Sequence, residues 1–295
     1  MGRLIEDKYR EWEKECQDRF DTLKRNEEEL NRIFIEIYGL QDELSPEEDD
    51  KDVTVRLADK GREIRSLISY LIGIDMGRYS LDVEGLAYAG GDWDSTKYKT
   101  WIPNHDGIEI LNGEFFGEKG MDSKLFDLIR KIYGDDTFES NISFIAEALD
   151  GKGSPRDVIR NYLLSGFYPN HLKIYQKRPI YWLFDAGKKN SFKALVYIHR
   201  YTPDTLAILR TDYILPLLER YGSRVQYLEK EIVSLSGPEQ NKVRKELETL
   251  KGQYQELVEY ETKVHHFADQ RIALDLDDGV KVNYAKLQDI LAPIK

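Results

Sequence analysis

The sequence predicts a mainly helical α+β chain: a helical body with small β elements and a long antiparallel helical hairpin. Three observations carry that expectation. First, Leu218, Tyr221, Val225, Leu228, Ile232 and Leu235 recur at alternating spacings of three and four residues. Val243, Leu247, Leu250, Tyr254, Leu257, Glu261, Val264 and Ala268 do the same, with Glu261 as the polar member. Ser236-Gly237-Pro238-Glu239 lies between them, and two heptad helices joined by a short break fold back on one another. Second, Pro179–Phe184 and Lys193–Ile198 are apolar, aromatic runs of strand length. Asp185-Ala186-Gly187-Lys188-Lys189-Asn190 between them suits a hairpin turn. Third, the stretch from Gly77 to Gly120 is punctuated by Gly85, Gly90, Gly91, Gly107, Gly113 and Gly117. That marks a loop-rich region with short strands such as Gly107–Leu111.

The remaining elements follow in chain order. Trp12, Cys16, Phe20, Leu23, Leu30, Phe34 and Ile37 recur near helical spacing, which predicts a long helix from about Leu4 to Tyr38, with Gly39 as its C-cap. Ser45-Pro46-Glu47-Glu48-Asp49-Asp50-Lys51-Asp52 reads as a solvated acidic loop; a partner patch is its functional alternative. A second helix is expected from about Ala58 to Gly73, with Ile64, Leu67, Ile68, Leu71 and Ile72 inward. Further helices are expected at Ser123–Tyr133 and Phe138–Leu149. Another, capped by Ser154 with Pro155 at its first position, should run to about Leu164. Asp277-Asp278-Gly279 reads as a turn, since a calcium loop needs more spaced oxygen ligands. These elements group into an N-terminal helical segment (1–75), a mixed α/β region (76–205), the helical hairpin (206–270) and a tail (271–295).

Composition narrows the function classes. Apolar residues make up 41% and aromatics 12% of 295 residues, which excludes a wholly disordered chain. A single cysteine, Cys16, excludes an internal disulfide framework and fits a reducing, cytoplasmic setting. No apolar run reaches the roughly 20 residues of a membrane span, and Met1-Gly2-Arg3-Leu4-Ile5-Glu6-Asp7 lacks the apolar core of a signal peptide. There is no G-x-x-x-x-G-K-[ST] phosphate loop, no G-x-G-x-x-G fingerprint and no G-x-S-x-G elbow. His265 and His266 are adjacent, so on a helix they diverge and do not share a metal; no metal site is expected. No catalytic residue is assigned.

Charge is unevenly spread. The chain carries −11 in total, yet Gly151–Arg224 holds thirteen basic and five acidic residues, a net of +8. That block interleaves Lys177, Arg178, Lys188, Lys189, Lys193 and Arg200 with Tyr175, Tyr181, Trp182, Phe184, Phe192, Tyr197 and Tyr201. Cations neutralise phosphates, and aromatic rings either stack on bases or fill a core. In a sheet, alternate residues of Ile180–Phe184 must be buried, so core packing accounts for much of the aromatic content.

Four strings resemble segments of the large adenine-specific DNA methyltransferases of BREX phage-defence systems, the PglX type. They are Glu29–Leu44; Gly77–Asp82 with Gly85–Gly91; Tyr175–Lys189, which reads YQKRPIYWLFDAGKK; and Leu274–Tyr284. They lie in family order and span nearly the whole chain. The resemblance is to the C-terminal region of that family. The family's S-adenosylmethionine-binding glycine motif and its N-P-P-[YF] motif are absent here: Pro103-Asn104 and Pro169-Asn170 run in the opposite order. The resemblance therefore implies a DNA-recognition and scaffolding region that needs no cofactor itself. S-adenosylmethionine would belong to an upstream catalytic domain, and base flipping to the whole enzyme. On this reading Lys177, Arg178, Lys188, Lys189, Lys193 and Arg200 include phosphate contacts, and Arg78 reaches bases. Duplex DNA, the upstream domain and other BREX proteins are the implied partners. The alternative is a protein-interaction or dimerisation module that docks through the helical hairpin.

Overall fold

The computed structural model describes residues 4–111 and 120–294; Gly113, Gly117 and the first three residues of the charged N-terminus lie outside them. Of the described residues 63% are helical, and they hold one three-stranded antiparallel sheet, the mainly helical α+β class that the patterning predicts. It divides into two units, one of residues 1–67 and 129–158, the other of 68–128 and 159–295.

In the first unit, α1 (Ile5–Tyr38) ends on Gly39, whose φ of 66° is the left-handed C-cap conformation. Its first amide is satisfied by Asn141 Oδ1 at 2.8 Å, a buried bond. α1 buries Ile5, Cys16, Phe20 and Ile35. The expected inward stripe is only half realised: Leu30 (54% exposed), Phe34 (55%) and Ile37 (68%) face outward. The acidic loop folds back on α1 through Lys24 Nζ to Asp50 at 2.6 Å and Asn31 Nδ2 to Glu48 at 2.6 Å. α2 (Lys60–Asp75) begins in this unit, and α3 (Met121–Tyr133) ends in it. α4 (Phe138–Ala148) follows. α5 (Pro155–Asn161) starts as predicted, with Ser154 Oγ accepting the Asp157 amide at 3.3 Å.

The second unit is built on the sheet. β1 (Ile108–Ile110), β2 (Tyr181–Asp185) and β3 (Lys193–Tyr197) pair antiparallel in the order β1-β3-β2. The register sets Tyr181 opposite Tyr197, Trp182 opposite Val196 and Phe184 opposite Ala194. Both faces are covered, so Tyr181, Trp182, Leu183 and Phe184 are all buried. One face packs Ile108, Ile110, Trp182, Phe184, Ala194 and Val196 against the helical hairpin. Tyr181, Trp182, Phe184, Phe192 and Tyr197 therefore fill the core rather than offer rings for stacking on bases, while Tyr175 and Tyr201 are half-buried.

Two helical runs border the sheet. α5 does not stop at Leu164: it passes through a π-helical turn (Tyr162–Gly166) into α6 (Phe167–Ile174). After β3, α7 (Thr205–Ile208) passes through a second π turn (Leu209–Ile214) into α8 (Leu215–Ser234), and α9 (Gly237–Asp269) returns antiparallel. Tyr221, Leu228, Leu247, Leu250, Leu257, Val264 and Ala268 of the predicted seam are buried. Glu261 is tolerated there because Arg210 Nε donates to it at 2.5 Å. α10 (Gly279–Ala285) follows the Asp277–Gly279 turn, which Asp275 caps by accepting the Asp277 amide.

Candidate nucleic-acid interface

The seven basic residues singled out in the sequence fall into two groups. Arg200, Arg78 and Lys193 point into the second unit. Arg200 Nη1 donates to the carbonyl of Asn104 at 2.8 Å and to Asn104 Oδ1 at 3.0 Å, and Nη2 donates to the carbonyl of His105 at 2.7 Å. Its guanidinium also lies 4.4 Å from the Trp93 ring. Five donors in a rigid fork, aimed at fixed carbonyls, pin the loop before β1. Trp93 stacks on Tyr98 with centroids 4.8 Å apart, and Tyr98 Oη donates to Gly77 O at 2.5 Å.

Arg78 is half-buried and donates to Tyr197 Oη at 3.1 Å; Tyr197 Oη in turn donates to the Tyr88 carbonyl at 2.8 Å. Beside it, His171 Nε2 accepts the amides of Ile180 and Tyr181, each at 3.2 Å. Burial, helped by the Arg78 charge, lowers the His171 pKa to about 3, so the ring is neutral with its proton on Nδ1. The Gly77–Asp82 string is thus accounted for by folding. Its Asp82 accepts the Lys99 and Thr100 amides at 2.7 and 2.8 Å and is held at a pKa of about 2, chiefly by the Thr100 hydroxyl and amide.

Lys193 is tied down by the π turn. In the i→i+5 register the Leu164 carbonyl would take the amide of residue 169, but that residue is Pro169 and has no N–H. Lys193 Nζ supplies the bond at 3.3 Å and lies 3.8 Å from Asp185 Oδ2.

The second group is Lys177, Arg178, Lys188 and Lys189, all exposed. Several other cations of the basic block meet carboxylates: Arg160 meets Asp122 at 2.6 Å, Arg210 meets Glu261 at 2.5 Å and Arg224 meets Glu246 at 2.6 Å. These four form no ion pair among the described residues. Lys188 and Lys189 occupy the β2–β3 turn, which the Gly187 φ of 142° and the Asn190 φ of 54° close. The turn is fixed from α9. Glu256 Oε1 accepts the Lys189 amide at 2.9 Å, and Oε2 accepts the Ser191 amide at 3.1 Å and hydroxyl at 2.7 Å. Gln253 Nε2 donates to the Lys189 carbonyl at 3.1 Å. A Cβ at Gly252 would lie 2.9 Å from Lys189 Nζ, so the turn approaches α9 where the helix has no side chain. Heptad reading passes over Glu256, which sits off the seam. Gly252, a glycine inside a helix, is the signal in the sequence that another segment comes close.

A buried polar cluster lies elsewhere in this unit. Glu109 of β1 is fully buried, and Lys124 Nζ donates to it and, at 3.4 Å, to Asp75. Desolvation and the adjacent Asp75 raise the Glu109 pKa despite Lys124. Among the described residues no three His, Cys, Asp or Glu side chains are arranged to hold a metal ion, and no helix is long and apolar enough to cross a membrane.

The second unit is a mainly helical scaffold that holds an exposed basic turn, and sequence comparison places the chain among known proteins. No protein-family model matches the chain. The chain is homologous to the C-terminal part of the adenine-specific methyltransferases PglX and BrxX. It is 48% identical over 299 residues to the PglX of Lacticaseibacillus casei (strain Zhang), covering 99% of this chain and 25% of the relative. It is 37% identical over 305 residues to the BrxX of Escherichia coli O9:H4 (strain HS), covering 94% of this chain and 25% of the relative. The chain therefore spans about a quarter of the length of the relatives it matches.

Proposed function

We propose that this chain is the duplex-gripping, scaffolding region of an adenine-specific DNA methyltransferase of a BREX defence system, acting in the cytoplasm. Methyl transfer and S-adenosylmethionine belong to an upstream catalytic domain. The observation that carries the reading is the sorting of cations. In a chain of net charge −11, Lys177, Arg178, Lys188 and Lys189, with Lys173 beside them, stay exposed and without ion pairs among the described residues, while Arg160, Arg210 and Arg224 meet carboxylates and Arg200 meets carbonyls. The turn that carries Lys188 and Lys189 is held from α9, so little order is lost when phosphates bind there. Arg78, Lys193 and Arg200 act by holding this surface in shape, because each already donates within the unit: Arg78 Nη1 to Tyr197, Lys193 to the Leu164 carbonyl and Arg200 to the loop before β1.

Anisotropy titration of a labelled duplex tests the reading. K188A/K189A should weaken binding by about tenfold or more, while R224A, which removes a paired cation, should not. Equal loss in both, or in neither, contradicts it.

A protein-contact role has one specific observation in its favour. Leu30, Phe34 and Ile37 form an outward apolar stripe on α1, within the first unit. The hairpin seam, by contrast, is buried against the sheet. A contact with the catalytic domain or with other defence proteins is better supported at α1 than at the hairpin.

A further inference from the structure

We propose that the cavity between α6 and the end of β2 is a nucleotide-binding pocket, taking the base into its apolar interior and the phosphate onto Lys173 and Lys177. The inference shares Lys177 with the DNA surface and so rests partly on that reading.

The cavity has a volume of about 610 Å³, room for one nucleoside monophosphate. Its walls are mostly apolar, formed by Leu164, Tyr168, Pro169, Leu172 and Leu183, with Ala292 and Pro293 closing one side. Three lysines and one carboxylate line it: Lys173, Lys177, Lys193 and Asp185. Lys193 is held by the Leu164 carbonyl and Asp185, which leaves Lys173 and Lys177 exposed and, among the described residues, without ion pairs. An apolar slot with two free ammonium groups at its rim suits a flat ring carrying an anionic tail. Asp185 adds an acceptor for the exocyclic or ring N–H of a base. Burial raises its pKa, with Lys193 opposing the shift.

The backbone around the pocket is unusual on two sides. The π turn Tyr162–Gly166 supplies Leu164 and Ser165. Gln176 and Lys177 have φ values of 49° and 61°, left-handed conformations that non-glycine residues rarely hold in succession. The Lys177 amide donates to the Leu172 carbonyl at 2.8 Å, which fixes Lys177 at the pocket mouth. π turns and strained backbone concentrate at ligand sites, and here both border the same cavity.

The ligand is either a free nucleotide or a nucleotide unstacked from bound DNA, and calorimetry on the full chain, paired with a fluorescent duplex, separates the two. The first arm titrates dAMP, dCMP, dGMP and dTMP, with inorganic phosphate and deoxyadenosine as controls. At least one monophosphate should bind more tightly than either control. S165W, which fills the mouth, should abolish binding. K177G, which removes the ammonium while relieving the backbone, should weaken it by about tenfold without lowering the melting temperature. The second arm uses a duplex carrying 2-aminopurine at successive positions. A fluorescence rise on binding that S165W suppresses assigns the nucleotide to DNA, and a silent duplex assigns it to the free pool. Phosphate binding as tightly as every monophosphate overturns the proposal, as does unchanged binding in S165W. Salt-dependent duplex binding with no response in either arm refutes the pocket and leaves the DNA reading standing. Monophosphate binding without duplex binding does the reverse.

Discussion

Glu256 of α9 accepts the backbone amide of Lys189 in the β2–β3 turn at 2.9 Å, across 67 residues of sequence. One carboxylate thereby joins the two features most visible in the sequence, the heptad hairpin and the aromatic strand pair. It also explains why the turn presents its lysines in a defined position. A carboxylate that accepts from two amides and a hydroxyl is well satisfied, and it adds to the local cap in which Asp185 Oδ1 accepts the Gly187 amide at 3.0 Å.

E256A should therefore loosen the turn. Removing three charge-assisted hydrogen bonds predicts a destabilisation of about 2–3 kcal/mol, read as a lower urea midpoint. Amide exchange should accelerate first at Lys189 and Ser191. Unchanged exchange at those two amides would contradict the anchoring role.

Arg200 is a structural cation. R200A should destabilise the protein by about 2–4 kcal/mol, because the carbonyls of Met76, Asn104 and His105 and the Asn104 side-chain oxygen each lose a hydrogen bond. R200K should not restore the stability, since an ammonium does not reproduce the fork. A folded, fully stable R200A that binds DNA less tightly would instead place Arg200 on the DNA surface.

His171 sets an acid limit on stability. Its folded pKa of about 3 lies below the ordinary imidazole value of 6.5, so the unfolded chain binds the extra proton between those values. Its contribution is full above about pH 6.5 and declines as pH falls through that window. The wild-type denaturation midpoint should fall faster from pH 7 to pH 4 than that of H171Q, which does not titrate there. Parallel curves would show that His171 is not the group responsible.

Gly77 tests how the family-like Gly77–Asp82 string works. Its φ is 80°, and a Cβ there would come 2.5 Å from the Trp93 ring. G77A should cost about 1–3 kcal/mol and shift the Trp93 emission as the ring leaves its stack on Tyr98. A neutral substitution would free this string for a contact role.

Periodicity was enough to place the helical hairpin, the strand pair, the Gly39 cap and the Ser154–Pro155 helix start, because each depends on local spacing or local backbone chemistry. Leu30, Phe34 and Ile37 show the limit of that reasoning: helical spacing marks an apolar face but not what covers it. The charge block was legible as a sum. Which cations stay free was not, since Arg200 is consumed by carbonyls about 95 residues away and Lys193 by a carbonyl that Pro169 leaves without its amide partner. Glu256 was hidden for the same reason: its partners are fixed by tertiary approach, and only Gly252 hinted at it.

If the free cations of the second unit grip DNA phosphates, duplex affinity must depend on salt, and on Lys188 and Lys189 in particular. The most direct measurement is that salt dependence for the wild type and for K188A/K189A. A linear fall of log affinity with log salt is expected for the wild type. The slope should be shallower by about two in the variant, one for each phosphate that a lysine no longer neutralises. A wild-type affinity indifferent to salt, or identical slopes in the two proteins, would contradict the phosphate grip.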